Sequence, residues 1–436
     1  MAENTPRGVA TPSGRISRTA RVAGLGVELA GRALIAGAGA LARGEALAPR
    51  DLVLTPGNLN RLADELARLR GAAMKAGQLV SMDYGAVLAP ELAAPLARLQ
   101  ENGPPMPPRQ LRRVLDRAWG PGWMARFERF ETRPAASASI GQVHRARLRS
   151  GRELAVKVQF EGVRDSIDVD LDTLAFMVRR SGMLPSGADI DPFLDGVRAR
   201  LHREADYVSE ATSLKAYARA LGDDRDFIMP GVVDALSGET VLAMDWIAGG
   251  PLSTLDGAPQ PVRDRAAQAL ISLTVREVFA FGLIQSDPNP ANFRFREDGR
   301  IALLDFGATE TVTPQRAGGL RAVLRAGLAG DDAALGEALL QAGAISDSQP
   351  PQIRARAIDA ARLALEPLGG GAPFDFAGAG LVDRLREEGA ALQAAGFNHT
   401  PPVDLAYIQR KVAGVYLIAA RLRAKLALRP LVADWL

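Results

Sequence analysis

The chain contains no cysteine, which excludes disulfides, thiolate catalysis and cysteine-ligated metals. Its three histidines, His144, His202 and His399, lie far apart and show no HxxxH or HxH spacing. A divalent metal is therefore expected on oxygen ligands, which suits magnesium. Lysine is scarce: Lys75, Lys157, Lys215, Lys411 and Lys425 are the only ones among 53 basic residues. Where arginine is the default cation, a retained lysine marks a place for a compact point charge, and Lys75 and Lys157 fall inside motif-like sequence. Excess charge is lacking too: a net +3 is too small to argue for nucleic acid. Long apolar runs are absent. In the N-terminal stretch the longest uncharged run, residues 33–42, is about ten residues, roughly half of what a bilayer span needs.

What is present fits a folded globular chain, with 47% apolar residues, and 436 residues exceed one ordinary core. Two lobes and an extension are expected. Residues 1–18 are polar with proline and glycine and no apolar signal-like core, so they read as disordered. Residues 19–50 read as an amphipathic helix, which either packs on its own protein or lies on a membrane surface. Residues 51–132 read as a helical extension. Within it Leu59, Leu62, Leu66, Leu69, Ala73 and Val80 form one apolar stripe, and Gly71, Met74, Lys75, Gln78 and Met82 fall opposite. That second face is too apolar to be solvated, so Lys75 and Gln78 are expected to be held against something polar inside the protein.

Residues 133–250 read as a first lobe with inserted helices and 251–436 as a second, mostly helical one. In the first, a small-residue loop, Ala135, Ala136, Ser137, Ala138 and Ser139, precedes strands at 142–148 and 154–160, the second of which carries Lys157. Helices are expected over 163–182 and 193–221. In the latter, Phe193, Val197, Leu201 and Val208 make an apolar stripe that contains Glu204. A carboxylate on an apolar stripe must be paired, and Lys75 has the complementary need, so the two are expected to meet. Asp206 and Glu210 form an i, i+4 pair on the other side, and one of them is expected to face Lys157. A hairpin is expected from 228–233 and 240–244, then a hinge-like, glycine-rich segment at 245–251. Helices follow at 263–282, 314–328, 332–343, 351–366, 378–395 and 403–427.

The chemistry concentrates in residues 287–307, where Asp287-x-x-x-x-Asn292 is followed by strand-like runs around Glu297-Asp298-Gly299 and then Asp305-Phe306-Gly307. This spacing resembles protein kinases, which carry there a base or positioning aspartate, a metal-holding asparagine and a second metal-holding aspartate. Lys157 in Ala155-Val156-Lys157 stands where the kinase β3 lysine stands, but of the kinase glycine loop only Gly141 survives.

These elements in this order resemble the UbiB family of atypical kinase-like proteins, which support ubiquinone biosynthesis, and the likeness covers nearly the whole chain. Lys75-Ala-Gly-Gln78 looks like its KxGQ motif, 135–142 like its alanine-rich loop, and Glu204-Ala-Asp206 like its ExD motif. Gln285-Ser-Asp287-Pro-Asn-Pro-Ala-Asn292 is similar to the mitochondrial type of catalytic loop.

The resemblance implies an α+β, bilobal protein-kinase-like fold with the N-terminal helices packed over the catalytic cleft. It pairs Lys157 with Glu210. It implies Mg2+ on Asn292 and Asp305, and ATP or ADP contacted by 135–139, Lys157, Met244 and Ile247. Asp287, Lys157 and Glu210 would be the catalytic set, and Lys75, Gln78, Glu204 and Asp206 the covering-helix motif. Quinone precursors or other lipids, a peripheral membrane surface and quinone-biosynthesis enzymes are the implied partners, without nucleic acid. The implied location is cytoplasmic and membrane-associated in a bacterium, or the mitochondrial matrix face in a eukaryote. Gln285 and Ser286 replace the kinase histidine and arginine, Asn289 replaces the lysine two residues after the aspartate, and no Ala-Pro-Glu follows Gly307. Conventional protein phosphorylation is thereby disfavoured. The reading is an ATPase or small-molecule kinase, with a nucleotide-gated lipid-binding scaffold as the alternative.

The Lys75–Glu204 contact has a direct test, because breaking a buried pair costs about 3–5 kcal/mol. Lys75→Ala and Glu204→Ala should each lower thermal stability, and the double variant should lose little more than either alone. Losses that simply add would mean that the two never meet.

Overall fold

The computed structural model describes residues 105–436 except Ser139, residues 181–190 and Asn398. The expected disordered start, the helix over 19–50, the rest of the extension to 104, and the motif residues Lys75 and Gln78 lie outside the described residues. The described chain divides into two compact units. The first holds residues up to Ala211 together with Gly231–Trp246, and the second holds Thr212–Pro230 and Ile247–Leu436.

The first unit begins with α1 (Pro108–Trp119), whose proline sits where a helix has no use for its N–H, and it ends at Gly120, φ +80°. Then come β1 (Phe127–Phe130), β2 (Ala136–Ala138), β3 (Gly141–Leu148) and β4 (Glu153–Gln159). Helices α2 (Val163–Arg180), α3 (Asp191–Glu204) and α4 (Tyr207–Leu221) follow, and after β5 (Phe227–Ile228) comes β6 (Val241–Asp245). An antiparallel sheet runs β1-β3-β4-β6, with β2 paired to β3. The expected boundary at 132/133 is not one. Trp119 and Trp123 stack edge-on at 5.5 Å, Trp123 meets Phe130 at 4.9 Å, and the Trp119 indole donates to Leu236 O at 3.0 Å. Such aromatic pairs add about 0.5–1.5 kcal/mol each beyond the area they bury, so α1 and β1 share one core with the sheet.

Two local expectations are corrected. The hairpin over 228–244 does not form: Phe227 and Ile228 belong to the second unit and pair in parallel with another of its strands, and only a single bridge, Val232 to Met244, remains. The helix expected over 193–221 breaks after Glu204. There the Asp206 carboxylate accepts the N–H groups of Val208 and Ser209, both at 3.1 Å, and starts a new helix. The break moves Val208 off the buried stripe of Val197 and Leu201, leaving it 50% exposed.

The second unit contains β7 (Gly250–Pro251), α5 (Gln260–Arg276), which a π-helical turn (Glu277–Phe281) extends, β8 (Leu283–Gln285), β9 (Phe293–Phe295), β10 (Ile301–Leu303) and β11 (Thr309–Thr311). After these come α6 (Pro314–Ala329), α7 (Asp332–Gln341), α8 (Pro351–Gly369), β12 (Phe374–Asp375), α9 (Leu381–Ala394), α10 (Val403–Arg421), β13 (Lys425–Leu426) and α11 (Arg429–Ala433). One sheet runs β5-β10-β9-β7, and β8-β11 and β12-β13 are two-stranded. The last long helix stops at Arg421 rather than at 427, because Arg423 turns to φ +51° and Lys425–Leu426 pair with β12.

His144 illustrates how polar groups are placed in the first core. Its Nδ1 donates to Glu131 O at 2.7 Å, and its Nε2 accepts from Gln142 Nε2 at 2.8 Å, while Gln142 Oε1 takes the Met106 N–H at 2.8 Å. The Gln142 bond needs a neutral ring, because a protonated Nε2 cannot accept, and burial lowers the His144 pKa to about 4. With the folded value below the unfolded one, this stability is present above about pH 6.5 and lost as pH falls toward 4. The expected linkage is about 3 kcal/mol. Acid titration of unfolding, followed by fluorescence since three of the four tryptophans lie in this unit, should show a shallower loss in His144→Gln than in wild type. Identical slopes would refute it.

Candidate functional site

In the first unit the site is built on β4. Lys157 is 7% exposed, and its ammonium lies 2.8 Å from both carboxylate oxygens of Glu210, with the Tyr207 ring centre 5.1 Å away. The Asp206 cap sets this contact: by starting α4 at Tyr207 it turns Glu210, in the first turn, toward the strand. Gln159 on β4 reinforces the junction by donating to Ala205 O at 2.7 Å. Of the two acids expected to compete for Lys157, the structure thus assigns Glu210 to the lysine and Asp206 to the helix start. Glu204, the last residue of α3, lies 3.4 Å from Arg200 one turn earlier.

The small-residue loop is a strand, Ala136–Ala138, that pairs with Gly141–Val143 in a tight hairpin. Gly141 serves packing rather than phosphate approach: a Cβ there would lie 2.4 Å from Val158 O and 2.7 Å from the Tyr207 hydroxyl. Met244 is buried in β6, whereas Ile247 opens the second unit.

In the second unit the expected hairpin forms from β9 and β10, with Phe295 opposite Ile301 and Gly299 at φ +83° in its turn. Asn292 donates to Asp287 O at 3.0 Å and more weakly to its Oδ2 at 3.4 Å, and the Asn292 carbonyl accepts Leu304 N–H at 3.0 Å. The two ends of the hairpin are thereby tied together. Asp305 Oδ1 accepts the Gly307 N–H at 3.0 Å, and Phe306 is buried against Tyr217, rings 5.0 Å apart. Among the described residues no three histidine or acidic side chains cluster as a metal cage. Magnesium keeps several waters and binds through one or two carboxylates together with substrate phosphates. The Asn292 amide oxygen and the Asp305 carboxylate are the oxygen donors that fit it.

Sequence reasoning missed the support beneath this loop. Glu277 is fully buried, and its Oε1 takes the Tyr217 hydroxyl at 2.8 Å, the Gln285 N–H at 3.0 Å and the Lys411 ammonium at 3.2 Å. Lys411 also reaches Gln285 Oε1 at 3.4 Å, and Gln285 Nε2 donates to Asp287 O at 2.9 Å. Burial, and then the Glu277 charge, push the Tyr217 phenol well above its ordinary range, so it stays a donor. One signal was available: Lys411 is among the five retained lysines. Arg410, its neighbour, places Nη2 3.6 Å from Asp287 Oδ1.

Overpacking beside backbone typically costs about 1–3 kcal/mol. Gly141→Ala should therefore destabilise the protein by that order in urea unfolding, and unchanged stability would show that the close approach is not needed.

A family model described as the ABC1 atypical kinase-like domain matches residues 98–339. The Saccharomyces cerevisiae protein named atypical kinase COQ8, mitochondrial, is 31% identical over 425 residues, 97% of this chain and 85% of that one. The Rattus norvegicus atypical kinase COQ8B, mitochondrial, is 32% identical over 97% of this chain and 80% of its own length. The Caenorhabditis elegans atypical kinase coq-8, mitochondrial, is 32% identical over 86% of this chain, which spans 50% of that protein. Among solved structures, a Mycobacterium tuberculosis protein in complex with erythromycin shares 31% identity at a TM-score of 0.61, over 86% of this chain and 95% of that one. The fold is protein-kinase-like, and the chain belongs to the UbiB family of atypical kinase-like proteins.

Proposed function

We propose that this UbiB-family chain is a magnesium-dependent atypical kinase-like ATPase that supports ubiquinone biosynthesis, acting on a quinone precursor or another lipid rather than on protein. The observation that carries the reading is the buried Lys157–Glu210 pair. Burying two charges costs more desolvation than their attraction readily returns, so such a pair in a kinase-like β4 is better explained by a phosphate-binding role than by stability. Lys157 would contact the α- and β-phosphates with Glu210 orienting it, and Asn292 and Asp305 would hold Mg2+. Bound magnesium supplies charge neutralisation at the phosphate oxygens. Asp287 would position or deprotonate the acceptor hydroxyl or water. The alanine- and serine-rich segment 135–139, with Met244 and Ile247, would contact the rest of the nucleotide.

The relatives' names, with their mitochondrial atypical kinases, support a role in quinone biosynthesis. Among the described residues no helix is long and apolar enough to cross a membrane. Peripheral attachment, on the cytoplasmic face in a bacterium or the matrix face in a mitochondrion, is the location we assign. Lys75 and Gln78, with Glu204 and Asp206, would form the covering-helix motif.

Removing a charge-assisted contact worth about 1.5–3 kcal/mol should weaken Mg-nucleotide binding by about ten- to a hundredfold. Calorimetry should show this for both Lys157→Ala and Asp305→Asn, and unchanged affinity in either would refute its assignment. In a deletion strain, wild type but not Asp305→Asn should restore the quinone profile. Equal rescue would remove metal-dependent chemistry and leave the nucleotide-gated scaffold.

A further inference from the structure

The catalytic loop lacks one charge that phosphoryl transfer normally uses. Two residues after Asp287 stands Asn289, whose side chain is committed to the Ala291 N–H at 2.9 Å. Negative charge on a transferring phosphoryl group then lacks a loop cation to meet it. The cation that the fold does bring to Asp287 comes from far along the chain, on α10: Arg410, whose side chain is 13% exposed, beside an Asp287 side chain that is 18% exposed.

Three contacts fix which side of α10 meets the loop. At its first turn Asp404 accepts a fork from Arg316, at 2.8 and 2.9 Å. Next to Arg410, Lys411 is held by the buried Glu277 and by Gln285. One turn further on, Gly414 lies so close to Pro288 that a Cβ would come within 2.0 Å of the proline ring. Arg410 shares this face, since residues i, i+1 and i+4 span about 100° of a helix. Its delivery to Asp287 is therefore built into the packing.

The pair also differs in geometry from a structural bridge in the same unit. Arg316 grips Asp404 through two short bonds, whereas Arg410 and Asp287 meet at 3.6 Å, outside close hydrogen-bond range. A guanidinium placed to hold a carboxylate would close that fork.

We propose that Arg410 is a catalytic residue that contacts the terminal phosphoryl group of a bound nucleoside triphosphate, in place of the lysine that the loop lacks. This rests on the nucleotide-dependent reading given above. In the step served, the bond from the γ-phosphorus to the β,γ-bridging oxygen breaks and its electron pair leaves with the diphosphate. A bond forms from a hydroxyl or water oxygen to phosphorus, and the proton of that oxygen passes to Asp287. Arg410 stays charged throughout and balances the oxygens in transit.

The test is calorimetry with Mg-ADP and with the β,γ-imido analogue of Mg-ATP, on wild type, Arg410→Gln and Arg410→Lys, with melting temperatures measured alongside. Arg410→Gln should bind the analogue about tenfold more weakly while its ADP affinity stays within about twofold, and Arg410→Lys should recover at least about a third of the loss. Turnover should fall by about a hundredfold in Arg410→Gln and less in Arg410→Lys. Equal weakening toward both nucleotides, or no change toward either, overturns the proposal, the first by showing a purely structural arginine. A wild-type protein that binds neither nucleotide overturns the functional reading as well. A wild-type protein that binds both without turnover overturns that reading alone and leaves the affinity comparison to decide Arg410.

Discussion

A single carboxylate, Glu277, governs the second unit. It lies fully buried at the end of α5, where it gathers the Tyr217 hydroxyl, the Gln285 N–H and the Lys411 ammonium. A buried charge without such partners would cost several kcal/mol, so these three groups cannot be moved independently. Through Gln285, whose side-chain amide donates to the Asp287 carbonyl, the constraint reaches the catalytic loop. Through Lys411 it reaches α10, and through Tyr217 the Phe306 ring. The histidine and arginine that lead into the loop of ordinary kinases are absent, and here the loop rests on this network.

The first unit solves a parallel problem by other means. Lys157 lies inside a sheet whose neighbours are apolar, and both carboxylate oxygens of Glu210 meet its side-chain nitrogen at 2.8 Å. The direction from which Glu210 arrives depends on a helix start, and that start depends on Asp206. The second acid of the ExD motif thus has a structural task that can be stated without any ligand: it fixes the register of α4. Gly141 and Tyr207 close the arrangement, because only a residue without Cβ lets β3 approach both Val158 O and the tyrosine hydroxyl.

The parts of the fold legible in the sequence are those in which the deciding contacts are local. The hairpin of β9 and β10 was readable because its turn, Glu297-Asp298-Gly299, and its alternating strands lie within eleven residues. The start of α6 at Pro314 was readable too, and in the structure the Thr313 side chain accepts the Arg316 N–H there. Misreadings fell where distant or competing contacts won. Residues 228–233 look like half of a hairpin with 240–244, but a parallel partner in β10 claims Phe227 and Ile228. Asp206 looks like one member of an i, i+4 pair, but a short side chain with free acceptors competes for backbone N–H groups and ends the helix instead.

By itself, then, the sequence determined the class of chemistry. The spacing of Asp287, Asn292 and Asp305 confines an amide and two carboxylates to one small hairpin, and Lys157 follows the alternation of its strand. The absence of cysteine and the scattered histidines direct any metal to oxygen. Helix faces left two acids open for Lys157 and only the family resemblance named Glu210; tertiary structure fixed that charge and decided the others. Glu210 rather than Asp206 meets Lys157, Glu277 and Lys411 neutralise each other beneath the loop, and Arg410 stands beside Asp287. The physical reason is the reach of each effect: hydrogen-bonded turns and strand alternation act over a few residues of chain, whereas the cost of a buried charge is met by whichever opposite charge the packing brings near, however far away in sequence.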